Sequence, residues 1–332
     1  MEGHKMREVT QDEIDAAAKR SLDLLDKPRK FFETAAFLGI MGEMFLTAAA
    51  FLASNFLKNI LPLFIVLALS AVMWIWIFRH KDKMQKRVGL ENARLAGFSE
   101  EQFNELTECR EINDLVRAEL YSDRVMELFE EKLSKSCGYT RIYCLCNLIS
   151  GCIQRLDEDR LQQKVRELEA ITPQNNMEER ERANGLFYYY SFKKKYPELI
   201  SFFEDNELLF SQEVNSDFEM IYSFMAKLGE YYFALKEYEK ALSYFEKCFI
   251  YEENKVKIRE MKNAPENKTE QLNMGAFAVN CAQCFIETGN LTAAEKYLDK
   301  ARPVNMLTAH LSREFSETED KLSRLKESGE MK

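Results

Sequence analysis

Eight cysteines, three histidines and 55 acidic residues are the groups in this 332-residue chain able to hold a metal, move a proton or attack a substrate. The cysteines come closest to a motif. Cys144-x-Cys146 and Cys281-x-x-Cys284 are the only close pairs. A thiolate zinc site asks for four converging ligands, commonly two CxxC pairs or added histidines. Residues two apart on a helix point in different directions, so Cys144 and Cys146 do not share a ligand sphere. Cys281 and Cys284 can share a face, but Cys281 falls on the apolar stripe of its segment, where a reduced thiol packs as a small hydrophobe. His4, His80 and His310 are scattered through the chain. They support no Ser/His/Asp or Cys/His arrangement, and the chain has neither a phosphate-cradling glycine loop nor HExxH. Glu100-Glu101 and Glu179/Glu181 read as solvated helix faces, and the aromatic region Phe187–Phe210 reads as core. The expectation is a chain that is not an enzyme and carries no cofactor and no metal.

The elements that must position these residues are helices. Gly and Pro are scarce, at 12 and 6, and no segment alternates with period two, so the expected class is all-α. The clearest segment is Tyr222–Lys255. Phe218, Ile221, Tyr222, Met225, Leu228 and Tyr232 fall three or four apart and make one apolar stripe. Tyr238, Ala241, Leu242, Phe245, Cys248 and Phe249 make a second. Gly229 and Ala241 are small enough to let the two backbones approach, leaving room for Tyr232 and Phe245. A second copy runs over Gly275–Pro303, with Ala282 and Phe285 in the first helix, Gly289-Asn290 at the turn, and Leu291, Ala294, Leu298 and Ala301 in the second. Ala241 and Ala294 are 53 residues apart by subtraction. The charged stretch Val256–Leu272, which holds Pro265, supplies an extended helix and a loop.

This spacing resembles the tetratricopeptide repeat, a 34-residue helix–turn–helix unit that stacks into an α-solenoid and presents a surface. Cys248 stands where the family usually has alanine, and the helix-stop proline is absent, which leaves the second helix free to run long. Weaker hairpins precede these two, over Arg141–Arg155 with Arg160–Ile171, turned at Asp157-Glu158-Asp159, and over Ala183–Lys194 with Pro197–Phe210. Asn305–Lys326 reads as a final amphipathic helix capping the stack. What the resemblance implies is partner binding through the first helix of each repeat. By register it assigns Ser223, Ala226, Glu230, Phe233 and Ala234 to the groove in the first clear repeat, and Val279, Gln283, Ile286 and Glu287 in the second. The family's carboxylate clamp uses Lys and Asn where Ala226 and Glu230 stand here, so the implied ligand is a basic or apolar peptide.

The N-terminal third differs in character. Thr34–Phe56 and Ile60–Phe78 are long apolar runs separated by about three residues, each near the roughly 20 residues that a helix needs to cross a bilayer. Together, as residues 34–78, they read as a two-span transmembrane hairpin. Lys27, Arg29 and Lys30 precede it and Arg79, Lys81, Lys83, Lys86 and Arg87 follow. The positive-inside rule therefore places both termini in the cytoplasm. Trp74 and Trp76 sit near the cytoplasmic end of the second run. Glu43, near mid-span, is costly in hydrocarbon and asks for a partner; Ser70 lies at comparable depth on the second run. Ala35, Gly39, Gly42 and Ala48–Ala50 give the first run small residues for close packing, and so a means of homo- or hetero-oligomer formation.

Residues 1–33 read as a cytoplasmic amphipathic helix opened by the capping box Thr10-x-x-Glu13, and residues 79–98 as a basic juxtamembrane helix. The repeat domain is expected over 99–332. Met1–Arg87 carries 13 basic and 10 acidic residues; subtracting these from totals of 46 and 55 leaves a balance of −12 for the remainder. An acidic body disfavours nucleic acid. The functional expectation is a membrane-tethered adaptor that recruits a protein partner, with a structural subunit of a membrane complex as the alternative.

Overall fold

The periodicities above correspond to helices throughout. The computed structural model describes residues 10–19, parts of 34–51, and 61–95, 109–211 and 218–328, and no strand occurs among them. The chain divides into two units, one formed by Met1–Lys19 with Glu105–Lys332 and the other by Arg20–Asn104.

The larger unit, hereafter the body, begins with a helix over residues 11–19 (α1). Its capping box forms: Thr10 Oγ1 accepts from the Glu13 amide at 3.4 Å and Glu13 Oε2 accepts from the Thr10 amide at 3.1 Å. Ile14, Ala17 and Ala18 on one face of α1 are buried against Met225, Cys248 and Tyr251. The amphipathic N-terminal helix therefore docks on the body. In the smaller unit, α2 spans Leu61–Leu95.

The rest of the body is a stack of helical hairpins. After α3 (Arg110–Glu119) and α4 (Asp123–Lys135), four hairpins follow: α5 (Gly138–Arg155) with α6 (Glu158–Glu169), α7 (Asn176–Phe192) with α8 (Tyr196–Ser211), α9 (Phe218–Ala234) with α10 (Tyr238–Met261), and α11 (Lys268–Glu287) with α12 (Leu291–Ala301). A 3₁₀ turn, Arg302–Leu307, leads to α13 (Ala309–Ser328). The long α10 and the loop before α11 account for the 53-residue spacing. The two weak hairpins form alongside the two clear ones, and Asp157 caps α6.

One turn chemistry recurs at all four hairpins. Leu156, Lys194, Lys236 and Gly289 each have a left-handed φ, between 52° and 81°. In each, two amides reach back over the helix end: Lys236 N to Phe233 O and Glu237 N to Tyr232 O, for example, at 3.0 and 2.9 Å. This closure satisfies carbonyls that the helix end leaves without partners. Packing then brings paired helices close. A Cβ at Gly229 would stand 2.5 Å from the Phe245 ring, so α9 and α10 approach at the small residue the spacing required. Farther up the stack the close approach falls between hairpins, with Cys146 Sγ on α5 2.6 Å from a Cβ at Gly185 on α7. Between α7, α8 and α9 the aromatic region is core, with Phe203 stacked on Tyr231 at 4.5 Å and Phe187 edge-on to Phe210 at 5.8 Å.

The C-terminal helix does more than cap the stack. Thr308 Oγ1 donates to Gln154 Oε1 on α5 at 2.8 Å, and Thr269 Oγ1 on α11 lies 3.5 Å from the Val116 carbonyl on α3. The last elements thus return to the first, and α13 packs against α5 and α11. Where the repeat resemblance implies an open groove, the body has a partly open pocket walled by α13.

The smaller unit follows the opposite packing rule. Phe64, Ile65, Leu69, Val72, Ile75, Trp76 and Phe78 of α2 are exposed, as are Ile40, Met41, Met44, Leu46 and Phe51. A Cβ at Gly39 would lie 3.2 Å from Met73 Cε and 3.5 Å from Ile77 Cδ1, so the two apolar segments touch. Among the described residues no helix is long and apolar enough to cross a membrane. Within the apolar run of α2, the side chains at 62, 63 and 67 lie outside the described residues, as do Glu43 and about half of Thr34–Phe56; Ser70 is half-buried on α2. The all-α class holds over the described residues.

Candidate functional site

Closure of the body leaves a cavity of about 140 Å³ between α5, α7, α9, α11 and α13. Of the nine residues that register assigns to a groove, Glu230, Phe233, Val279 and Gln283 line it. The other five do not. Ser223 is turned to Lys227, accepting its ammonium at 2.9 Å, and Ala226 packs beside the α1 interface. Ala234 and Ile286 are core. Glu287 is exposed and pairs with Lys321. The physical reason is position along the helices: α9 turns only Glu230 and Phe233, from its last turns, to this space, and α11 only one face of Leu272–Gln283.

Glu230 is the centre of the site. Ser191 Oγ on α7 donates to one carboxylate oxygen at 2.9 Å and Asn280 Nδ2 on α11 to the other at 3.2 Å. Both donors are neutral, and among the described residues no ammonium or guanidinium pairs with Glu230. Burial pushes its pKa up to about 6, an effect the Ser191 hydroxyl counters and the Glu314 carboxylate reinforces. A second carboxylate, Glu314 on α13, lines the same cavity. Its Oε2 accepts weakly from Gln283 Nε2 at 3.4 Å. Its Oε1 lies 3.2 Å from Lys194 Nζ and, although buried, accepts no hydrogen bond among the described residues. Lys194 also reaches Glu317 at 3.5 Å, and its own side chain is 48% exposed.

The remaining walls are polar and neutral, or aromatic. Gln154 Nε2 donates to Tyr188 Oη at 2.7 Å. His310 packs edge-on to Phe192 at 5.1 Å, and its buried Nδ1 makes no hydrogen bond among the described residues. Burial lowers the His310 pKa to about 4, so the ring is neutral at pH 7. Burial also raises Tyr196 to about 12. A second cavity of about 270 Å³ shares Phe192 and Lys194 with the first.

Register found the α9 and α11 walls and missed Ser191, Lys194, His310 and Glu314. His310 and Glu314 stand on the helix read as a cap, and no local pattern marks them as neighbours of Glu230. The cysteine pairs take no part: Cys144, Cys146, Cys281 and Cys284 are buried free thiols in the core. No group of metal-ligating side chains occurs among the described residues. No protein-family model, curated protein or solved structure matches the chain.

What this arrangement can do chemically is bind. Two carboxylates within one cavity, with neutral donors and aromatic walls, offer charge, hydrogen bonds and apolar contact together. A histidine held neutral and two tyrosines held protonated take up no charge at pH 7.

Proposed function

We propose that this chain is a membrane-tethered adaptor whose helical body captures a protein partner through the cavity at Glu230. The observation that carries the reading is the convergence of Glu230, Phe233, Val279 and Gln283 on one partly open, partly polar pocket. The tetratricopeptide-like spacing supports it, because such hairpins present first-helix side chains to a partner. A cavity of this size takes a single side chain; about 150 Å³ accommodates a benzene-sized group. The partner thus inserts an anchor residue, and the surrounding contacts hold the rest of its segment.

The tether is the smaller unit. Large apolar side chains are exposed along both of its segments, an arrangement that costs free energy in water and not in hydrocarbon. Two spans over 34–56 and 60–78, flanked by basic residues, leave both termini on the cytoplasmic side. Glu43 and Ser70 are the polar groups this topology places at comparable depth.

Affinity capture with the detergent-solubilised full-length chain, read by mass spectrometry, tests the adaptor reading. The Phe233→Ala/Glu230→Gln double variant is expected to lose the partner, and a Ser223→Ala control to keep it. Equal capture by all three sinks the cavity as the partner site.

The outward apolar face also favours a second reading, a structural subunit recognised through its transmembrane hairpin. Glu43→Leu separates the two. An adaptor retains its soluble partner, whereas a subunit held through the hairpin loses its complex.

A further inference from the structure

The charges around the cavity do not balance. Glu230 and Glu314 both line it, and Lys194 is the ammonium that reaches in, pairing with Glu314 and not with Glu230. Arg313, whose guanidinium lies over Phe192 at 5.4 Å, stands at the rim between Glu317 at 3.8 Å and Glu314 Oε1 at 3.6 Å. The neutral His310 contributes no charge. Among the described residues Glu230 therefore holds hydrogen bonds from neutral donors and no ion pair, with Lys194 acting on it only from a distance, an arrangement that stabilises an incoming cation.

Shape agrees with charge. Phe192, Tyr196 and Phe233 line the walls near these carboxylates and can lie along an alkyl stem or face a guanidinium. Among the described residues the buried His310 Nδ1 makes no hydrogen bond, and Glu314 Oε1 is held only by ion pairs from Lys194 at 3.2 Å and Arg313 at 3.6 Å, contacts that an incoming donor can replace. Lys194, meanwhile, occupies the anionic end from a turn, with a half-exposed stem free to swing outward.

We propose that the cavity is a recognition site for one basic side chain, arginine in preference to lysine, presented by the partner polypeptide, and that Lys194 is an internal stand-in which that side chain displaces. Arginine is favoured because its planar fork can serve Glu230 and Glu314 together while stacking on the aromatic wall, which a point-charge ammonium cannot do. The proposal rests on the adaptor reading for the source of the side chain, but its chemistry is testable without the partner.

The test uses the full-length chain in detergent, titrated with N-acetyl-arginine methylamide, the lysine counterpart and the uncharged citrulline counterpart, with binding read by ligand-observed NMR. The arginine probe is expected to bind about ten- to a hundredfold more tightly than citrulline, the range set by hydrogen bonds to a charged group. Glu230→Gln is expected to abolish that difference. Lys194→Ala is expected to tighten arginine binding about two- to fivefold by removing an exposed ion pair that competes. This gain cannot come from a damaged fold. Arginine affinity is also expected to fall as pH drops through about 6, where Glu230 takes up a proton. Equal binding of arginine and citrulline overturns the site, and unchanged or weaker binding by Lys194→Ala overturns the stand-in. If the probe binds as expected while partner capture is indifferent to Glu230→Gln, the adaptor reading fails and the cation site survives. If capture depends on the cavity but the probes do not discriminate, the reverse holds.

Discussion

The body and the Arg20–Asn104 unit are built from the same kind of helix turned in opposite senses. In the body, Phe129, Phe245 and Phe249 are almost fully buried and most charged residues face outward, with Glu252 and Glu270 among the exceptions. In the smaller unit, Leu69, Val72, Ile75 and Trp76 face outward, and burial is confined to a few positions such as Ala50 and Ile77. Hydrophobic burial drives folding only where water is the alternative. The contrast teaches that the two regions are matched to different surroundings, and that substitutions of equal size should weigh very differently in them.

The largest expected effect separates them directly. Phe245→Ala removes a ring that fills the space beside Gly229 and should cost the body about 3–5 kcal/mol in urea unfolding followed by circular dichroism. Leu69→Ala on α2 should leave the same transition within about 0.5 kcal/mol. A comparable loss at both sites would erase the distinction. Next comes Leu69→Arg. A charge on an outward face in hydrocarbon costs about 2.5–3.5 kcal/mol, so this variant should be released by alkaline carbonate extraction while the body melts normally. Retention in the pellet would count against the membrane reading.

A smaller effect comes from the cavity. Glu230 has a folded pKa above its ordinary value of 4.5, so the native state binds the proton more tightly than the unfolded chain does. Its contribution is most favourable below about 4.5, declines as pH rises toward 6, and above 6 amounts to a cost of about 2 kcal/mol. Glu230→Gln should flatten that slope and raise stability at pH 7, measured as the denaturation midpoint across pH 4 to 8. The smallest effect is at the edge of the body. Asn254 Nδ2 donates to Asp15 Oδ1 at 2.7 Å. Asn254→Ala should cost about 0.5–1 kcal/mol and speed hydrogen exchange over residues 11–19 without changing exchange in α11. Unchanged protection in 11–19 would show that the apolar face of α1 suffices alone.

Much of the fold was legible because its signals are local. The period of Tyr222–Lys255, the small residues Gly229 and Ala241, the Gly289-Asn290 turn and the Thr10–Glu13 capping box all act within a few residues of themselves. The α3–α4 pair was not singled out, and the turns at Leu156, Lys194 and Lys236 carry no glycine to announce a left-handed residue. The site was half legible for the same reason. Register places Glu230 and Gln283 on their helices, but Glu314 and His310 join them only because Thr308 meets Gln154, a contact spanning 154 positions. No pattern within one helix encodes that meeting.

The docking of α1 has a consequence for the order in which the molecule can be completed. The helix over 11–19 is synthesised well before its seat, which is formed by Met225, Cys248 and Tyr251. During translation, Ile14, Ala17 and Ala18 must therefore wait without their partners while more than two hundred further residues emerge. Deleting everything before residue 105 would do more than free the body: it would strip the cover from Met225 and Tyr251 and leave an apolar surface on the product. The first helix is in this sense the last piece placed, a latch that records that α9 and α10 have folded.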